Sequence, residues 1–307
     1  MTRTAKAIGI DIGGTKTVVA AVDAFGRVHA SRNFETSSES GFSAGLDGIS
    51  KAIRDVLQEA SWTGESFDGI GIGCTGPVSP ARGTIQNPYT LPGWEDADIV
   101  SPLRQAFGVP VFLENDADAA AIGEFHFGAG AQASPIVMVT LGTGIGGAVL
   151  FGGRIHRGVD GEHPELGHIS VQPGGPECYC GTRGCWESLA SGTAIALAGK
   201  ECGFEDSRTV FAARTTDTRA APIIERAVNA TAIATWTLLH TFLPHRIIVG
   251  GGIGEAHFDL FASLMRKQVS LATQLPKDRV EIVKAQLGQD AGVIGAAALA
   301  FQTTKPA

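Results

Sequence analysis

Lys6-Ala7-Ile8-Gly9-Ile10-Asp11-Ile12-Gly13-Gly14-Thr15-Lys16-Thr17-Val18-Val19-Ala20-Ala21-Val22 is an apolar run broken by two glycines and resumed beyond them. Small and β-branched residues on both sides of a glycine turn read as two paired strands. The pattern returns at Val137-Met138-Val139-Thr140-Leu141, is interrupted by Gly142-Thr143-Gly144-Ile145-Gly146-Gly147, and continues through 148–151. Two such units in one chain suggest an internal duplication, with one phosphate-cradling hairpin in each of two domains. Between them the periodicity gives a helix over 46–60 and strands at 70–73 and 110–113. Beyond them it gives helices near 193–201, 222–243 and 258–271, strands at 246–249 and 280–283, and a terminal helix from about Asp290. Strands alternating with helices imply an α/β class with largely parallel central pairing. The expected boundary lies near Asp116: residues 1–117 with about 291–307 form a smaller domain, and residues 118–290 form a larger one.

The length of 307 residues fits two domains at roughly 100 to 200 residues each. Hydrophobic residues make up 44% and charged residues 18%, without a low-complexity tract, which excludes a disordered or fibrous chain. The 24 basic and 31 acidic residues leave a net charge of −7 and no basic run, a poor footprint for nucleic acid or an anionic membrane. The amino terminus lacks the features of a secretory signal, and its apolar stretch contains Asp11. A membrane helix needs about 20 apolar residues, and the best apolar run, 291–301, is far shorter. A cytoplasmic protein is expected. Five cysteines, three of them within eight residues, favour a metal site over a disulfide framework.

Several segments carry chemistry. In the first glycine turn, Gly13 and Gly14 let backbone N–H groups approach phosphate, Thr15 and Lys16 can contact it, and Asp11 can hold Mg²⁺ through water. A plain hairpin with an aspartate capping its turn explains that segment too. Thr143 and Gly144 open a similar turn with the same two explanations. His168, Cys178, Cys180 and Cys185 supply three sulfurs and one nitrogen, and Gly181 and Gly184 permit a tight knuckle. This set fills a tetrahedral Zn²⁺ shell and leaves no open position, so a structural ion is expected. Cys74 and Cys202 lack that context and read as core. Glu165 and Glu187 flank the knuckle, either aimed at a ligand or solvated on the surface. Asn115 and Asp116 follow a strand and precede a helix, where open α/β sheets bind ligands. Asp116 can accept a hydroxyl proton and Asn115 can orient a substrate, or either can cap the helix. Gly251 and Gly252 end a buried strand and can present backbone to an adenine or a ribose.

Taken in this order, from Gly9 to about Gly295, these segments resemble the ROK family of bacterial sugar kinases and sugar-responsive repressors. The most specific piece is Glu165-Leu166-Gly167-His168 followed by Cys178-x-Cys180-Gly181-x-x-Gly184-Cys185-x-Glu187. The resemblance implies a two-domain actin/hexokinase-like ATPase fold, a duplicated ribonuclease H-like motif with a cleft between its domains. It implies Asp116 as catalytic base and Gly76, Asn115, Glu165, His168 and Glu187 as sugar contacts. Asp11, Gly13, Gly14, Thr15, Lys16, Thr143 and Gly144 would hold ATP phosphates with Mg²⁺, and Gly251 and Gly252 would lie near the adenosine. Family repressors carry a DNA-binding segment before this core. Here the first phosphate strand begins by about Lys6, which favours the kinase branch. The expected activity is ATP-dependent phosphorylation of a hexose 6-hydroxyl, with glucose as first substrate. N-acetylglucosamine, N-acetylmannosamine or fructose is the alternative within the family, and a non-catalytic sugar-sensing regulator the alternative outside it. A homodimer or homotetramer is the family expectation.

Overall fold

The computed structural model describes residues 4–62 and 67–302. The chain divides into two compact units: residues up to Ala131 together with those from Gln289 onward, and Gln132–Gly288. In the first unit, β1 (Lys6–Ile12), β2 (Lys16–Asp23) and β3 (Val28–Glu35) precede α1 (Phe42–Glu59) and β4 (Gly69–Cys74). Three two-residue strands follow, β5 (Val78–Ser79), β6 (Thr84–Ile85) and β7 (Ala97–Asp98), which form a small sheet of their own. Then come α2 (Val100–Phe107), β8 (Val111–Asn115) and α3 (Asp116–Phe127). The main sheet has the order β3-β2-β1-β4-β8; the β1–β2 and β2–β3 pairs are antiparallel, and β1–β4 and β4–β8 are parallel.

The second unit holds β9 (Ile136–Leu141), β10 (Ile145–Phe151), β11 (Arg154–Ile155), α4 (Glu187–Ala190), α5 (Gly192–Glu201) and α6 (Ser207–Ala213). It continues with α7 (Ala221–Phe242), β12 (Arg246–Gly250), α8 (Gly252–Ala256), α9 (Phe258–Leu271) and β13 (Glu281–Lys284). Its sheet order, β11-β10-β9-β12-β13, repeats the first in connectivity and in strand sense. The duplication suggested by two glycine turns is therefore a duplication of whole sheets. Each unit has its own apolar core, built around Ile8, Ile10, Ile70 and Ile72 in the first and Val137, Val139, Ile247 and Val249 in the second. Strands covered on both faces read as continuous apolar runs, which explains the missing alternation.

The last helix, α10 (Ala291–Gln302), belongs to the first unit, where it packs on α3, β1 and β4. The contact requires residues without side chains. A Cβ on Gly295 would lie 1.7 Å from the Ala119 carbonyl oxygen, one on Gly9 1.9 Å from that of Val293, and one on Gly71 1.7 Å from that of Ala296. Because α3 is tied to α10 in this way, the boundary falls at 131/132 and not at the expected 117/118. Gly71→Ala sets a methyl against backbone that no rotamer change relieves, so α10 must move. The expected cost is about 3 kcal/mol or more, read as a lower urea midpoint. In contrast Gly48→Ala, on α1 with only ordinary contact to Phe34, is expected to gain about 1 kcal/mol from helix propensity. Equal midpoints for the two variants would contradict the close packing.

Candidate functional site

In the first unit the registers bring three strand ends together. Ile12 pairs with Cys74, and Cys74 with Asn115, so Asp11, the 73–76 turn and the 114–116 segment share the carboxyl end of parallel strands. Open α/β sheets bind ligands at that end. Gly13 N donates to Lys16 O at 2.9 Å and closes the glycine turn. The Thr36 hydroxyl donates to Gly13 O at 2.7 Å and lies 2.9 Å from the Thr17 hydroxyl, bracing the turn from beneath. Thr15 and Lys16 are exposed beside it.

Asn115 is buried and caps α3: its Oδ1 accepts from Ala117 N at 2.9 Å and from Asp118 N at 3.4 Å. The capping alternative is thus realised by Asn115. Its Nδ2 faces the other way, toward Gly76, where a Cβ would come within 2.8 Å of it. Asp116 occupies the first helical position, and its Oδ1 accepts from Ala117 N at 2.8 Å. A helix N-terminus favours the ionised carboxylate.

Asp11 is partly buried, and burial together with the nearby Asp116 charge pushes its pKa up to about 6, against a lowering by Lys16. The two carboxylates therefore share one neighbourhood. A carboxyl whose pKa is higher in the native state holds its proton more tightly there, so its contribution to stability is greatest at low pH. That contribution is lost as pH rises from 3.8 to about 6, at most about 3 kcal/mol. Asp11→Asn is neutral at every pH. Its urea midpoint is expected to exceed that of the parent at pH 7.5, with the gap closing by about pH 4. A gap unchanged between the two pH values would contradict this.

One residue here escaped the sequence reading. Asn87 is buried, and its Nδ2 donates to Thr75 O at 3.2 Å and to the Thr90 hydroxyl at 2.7 Å. Its Oδ1 accepts from Tyr89 N at 2.9 Å and Thr90 N at 3.0 Å, and Thr90 packs against Gly14. Asn87 therefore ties the glycine turn to the turn that holds Gly76. An asparagine followed by proline signals a turn, but nothing in the pattern tells which turn it braces.

In the second unit, the His168, Cys178, Cys180 and Cys185 donor atoms lie within 4.8 Å of one another. His168 Nδ1 is 3.4 Å from Cys178 Sγ, and the Cys180 and Cys185 sulfurs are 3.5 Å apart. A tetrahedral ion with metal–sulfur bonds of ~2.3 Å and metal–nitrogen bonds of ~2.05 Å needs separations of ~3.8 and ~3.6 Å. The donor set fits such an ion. Because Nδ1 faces the sulfurs, Nε2 is the nitrogen left for another partner. Cys74 is buried, and Cys202 packs against the core.

Trp186, fully buried, anchors the chain directly after Cys185, and Glu187 opens α4. Glu187 Oε2 accepts from Ile145 N at 2.7 Å, and a Cβ on Gly144 would lie 2.6 Å from it. The carboxylate thus reaches the second glycine turn. Glu165 is mostly exposed and pairs with His163 at 3.5 Å. His163, with a smaller effect from His168, holds its carboxyl below the usual range against the opposing effect of burial.

Gly142 and Thr143 form one wall of a cavity of about 730 Å³, a size suited to a small ligand. Thr193 is tied to that wall, its hydroxyl donating to Thr143 O at 2.9 Å. Arg208, Phe211, Arg214 and His257 complete much of the lining, and none of these four was singled out by the sequence. The Phe211 and His257 rings stack at 3.8 Å. Burial, then Arg214, holds the His257 imidazole below its usual pKa. Gly252 lines the cavity, whereas Gly251, at φ +80°, serves close packing: a Cβ there would lie 2.6 Å from Leu141 O.

The chain is similar to known proteins along nearly its whole length. A profile described as the ROK family matches residues 7–303. A glucokinase of Thermotoga maritima is 37% identical over 311 residues, covering 96% of each chain. An N-acetylmannosamine kinase of Citrobacter koseri is 32% identical over 296 residues, covering 95% of this chain and 98% of the other. The crystal structure of a ROK family glucokinase from Streptomyces griseus in complex with glucose and AMPPNP superposes with a TM-score of 0.77 at 33% identity, covering 97% of this chain and 99% of that one.

Proposed function

Since the chain belongs to the ROK family, we propose that it is an ATP-dependent kinase that phosphorylates the 6-hydroxyl of glucose. The observation that carries this reading is the meeting of Asp116 and Asp11 at the carboxyl end of one parallel sheet, near enough for one charge to raise the pKa of the other. Phosphoryl transfer asks the protein for positioning and charge stabilisation more than for covalent chemistry. Asp116, ionised at the start of α3, aligns the sugar hydroxyl and takes its proton. Asn115, its Oδ1 spent on the helix cap, offers Nδ2 beside Gly76 to a sugar hydroxyl. Gly13, Gly14, Thr15 and Lys16 bind phosphate oxygens. Asp11 would hold, through water, the Mg²⁺ that comes with ATP, and the ion would supply charge neutralisation at those oxygens.

From the second unit, Glu165, His168 through Nε2, and Glu187 contact sugar hydroxyls, and Thr143 and Gly144 contact phosphates. Gly252, and Gly251 behind it, border the adenosine. His168 Nδ1, Cys178, Cys180 and Cys185 hold Zn²⁺, whose contribution is to fix the knuckle that carries His168 and precedes Glu187. Among the described residues no helix is long and apolar enough to cross a membrane. Reduced thiolates at this site suit the cytoplasm.

The similarity to N-acetylmannosamine kinases gives a second reading, in which the sugar carries an N-acetyl group at C2. A panel of glucose, mannose, fructose, N-acetylglucosamine and N-acetylmannosamine with MgATP separates the two. Glucose is expected to have the highest kcat/KM. A higher value for an N-acetylated sugar selects the second reading, and no ADP release with any of the sugars rejects both.

A further inference from the structure

Tyr179 has no role in the reading above, yet it stands among the side chains assigned there to the sugar, and this inference rests on that assignment. It is the residue between Cys178 and Cys180, in a turn closed by Cys178 N donating to Thr182 O at 2.9 Å and Gly181 N to Cys178 O at 3.1 Å. The residue is 81% exposed. Exposure by itself is ordinary for a single aromatic residue, but the direction of this side chain is not. Its ring meets the His168 imidazole edge to face, with centroids 5.0 Å apart at 87°.

Most of the residue is in water, whereas its hydroxyl is partly sheltered and turned to the carboxylates. Burial first, then the Glu187 charge and a hydrogen bond to Glu187, and after these Glu165, push that hydroxyl above the usual tyrosine range. A phenol that keeps its proton meets a carboxylate as donor. Glu187 Oε2 already accepts from Ile145 N at 2.7 Å. The last torsion of a glutamate is broad, so a carboxylate held by one partner still turns. A second donor stops it. The lone pairs left over are then aimed before the sugar arrives, which lowers the ordering cost of binding.

We propose that Tyr179 is a positioning residue of the sugar site, whose hydroxyl fixes the Glu187 carboxylate in the orientation that accepts a sugar hydroxyl. Tyr179→Phe isolates this role, because phenylalanine keeps the ring against His168 and loses only the donor.

The test is glucose affinity by calorimetry for the full chain, Tyr179→Phe, Glu187→Ala and the double variant, with zinc content measured for each. Tyr179→Phe is expected to weaken glucose about fivefold and to raise the glucose KM alike, with kcat and the MgATP KM within about twofold of the parent. Zinc content should equal that of the parent; a lower value assigns Tyr179 to the metal knuckle and overturns the inference. With Glu187→Ala already present, Tyr179→Phe is expected to cost less than about twofold, since no carboxylate is left to orient. Should Glu187→Ala not fold or not bind measurably, glucose analogues lacking one hydroxyl at a time complete the same cycle from the ligand side. The penalty of Tyr179→Phe should then vanish for the analogue that lacks the hydroxyl held by Glu187, and a full penalty with every analogue overturns the inference. Unchanged glucose affinity in Tyr179→Phe, or penalties that simply add, overturns it while the sugar reading stands. Glu187→Ala binding glucose as the parent does removes the sugar contact and the inference together. If the cycle appears as expected and no sugar is phosphorylated, the positioning role stands and the phosphotransfer reading falls.

Discussion

Asp116→Asn is expected to lower kcat for glucose by about a thousandfold while glucose affinity stays within a few-fold of the parent. Asparagine has the same shape, and its side-chain oxygen can keep the contact with Ala117 N at the start of α3, so the helix and the neighbouring Asn115 cap should survive. Only the proton acceptor is lost. A second, independent readout is available in the same variant. The Asp116 charge is one of the causes that raise Asp11, after burial, so the Asp11 carboxyl should titrate below about 6 once that charge is gone. Carbon-detected NMR of labelled aspartate follows this directly. Near-normal turnover, or an Asp11 titration that does not move, would remove Asp116 from the role assigned to it.

Cys180→Ser should leave a chain that holds little zinc and binds glucose about ten to a hundred times more weakly. Cys180 is the exposed member of the cluster and Cys185 the buried one, so this substitution removes a ligand without opening a cavity. Without the ion, the glycine-rich segment 174–184 has little apolar packing of its own, and the anchoring it provides to His168 and to the start of α4 weakens. Metal content by mass spectrometry and glucose affinity by calorimetry give the two numbers. Should the variant fail to fold, chelation of the parent followed by readdition of zinc asks the same question. A zinc-free chain that binds glucose as before would refute the coupling.

Much of this was legible in the sequence because the relevant signals are local. The two glycine turns, the buried strands on either side, and the cysteine spacing each occupy a short window, and folding keeps them as read. The paired strands of the 78–98 segment were not legible, since two-residue strands carry no periodicity. Arg208 and His257 reach one cavity from segments almost fifty residues apart, which no local pattern reports. Asn115 caps α3 with its side-chain oxygen while its nitrogen faces Gly76, so the observed cap is compatible with the sugar contact proposed for it. The grouping of α3 with α10 was not legible either, because the close contact marked by Gly123 and Gly295 joins segments about 170 residues apart.

The most direct measurement of the central claim is the identity of the product formed from glucose and MgATP, read by proton-coupled phosphorus NMR. The expected result is one new phosphate monoester coupled to the two protons at C6, appearing in step with ADP. A phosphate coupled to the anomeric proton, or ADP formed without any sugar phosphate, would contradict it.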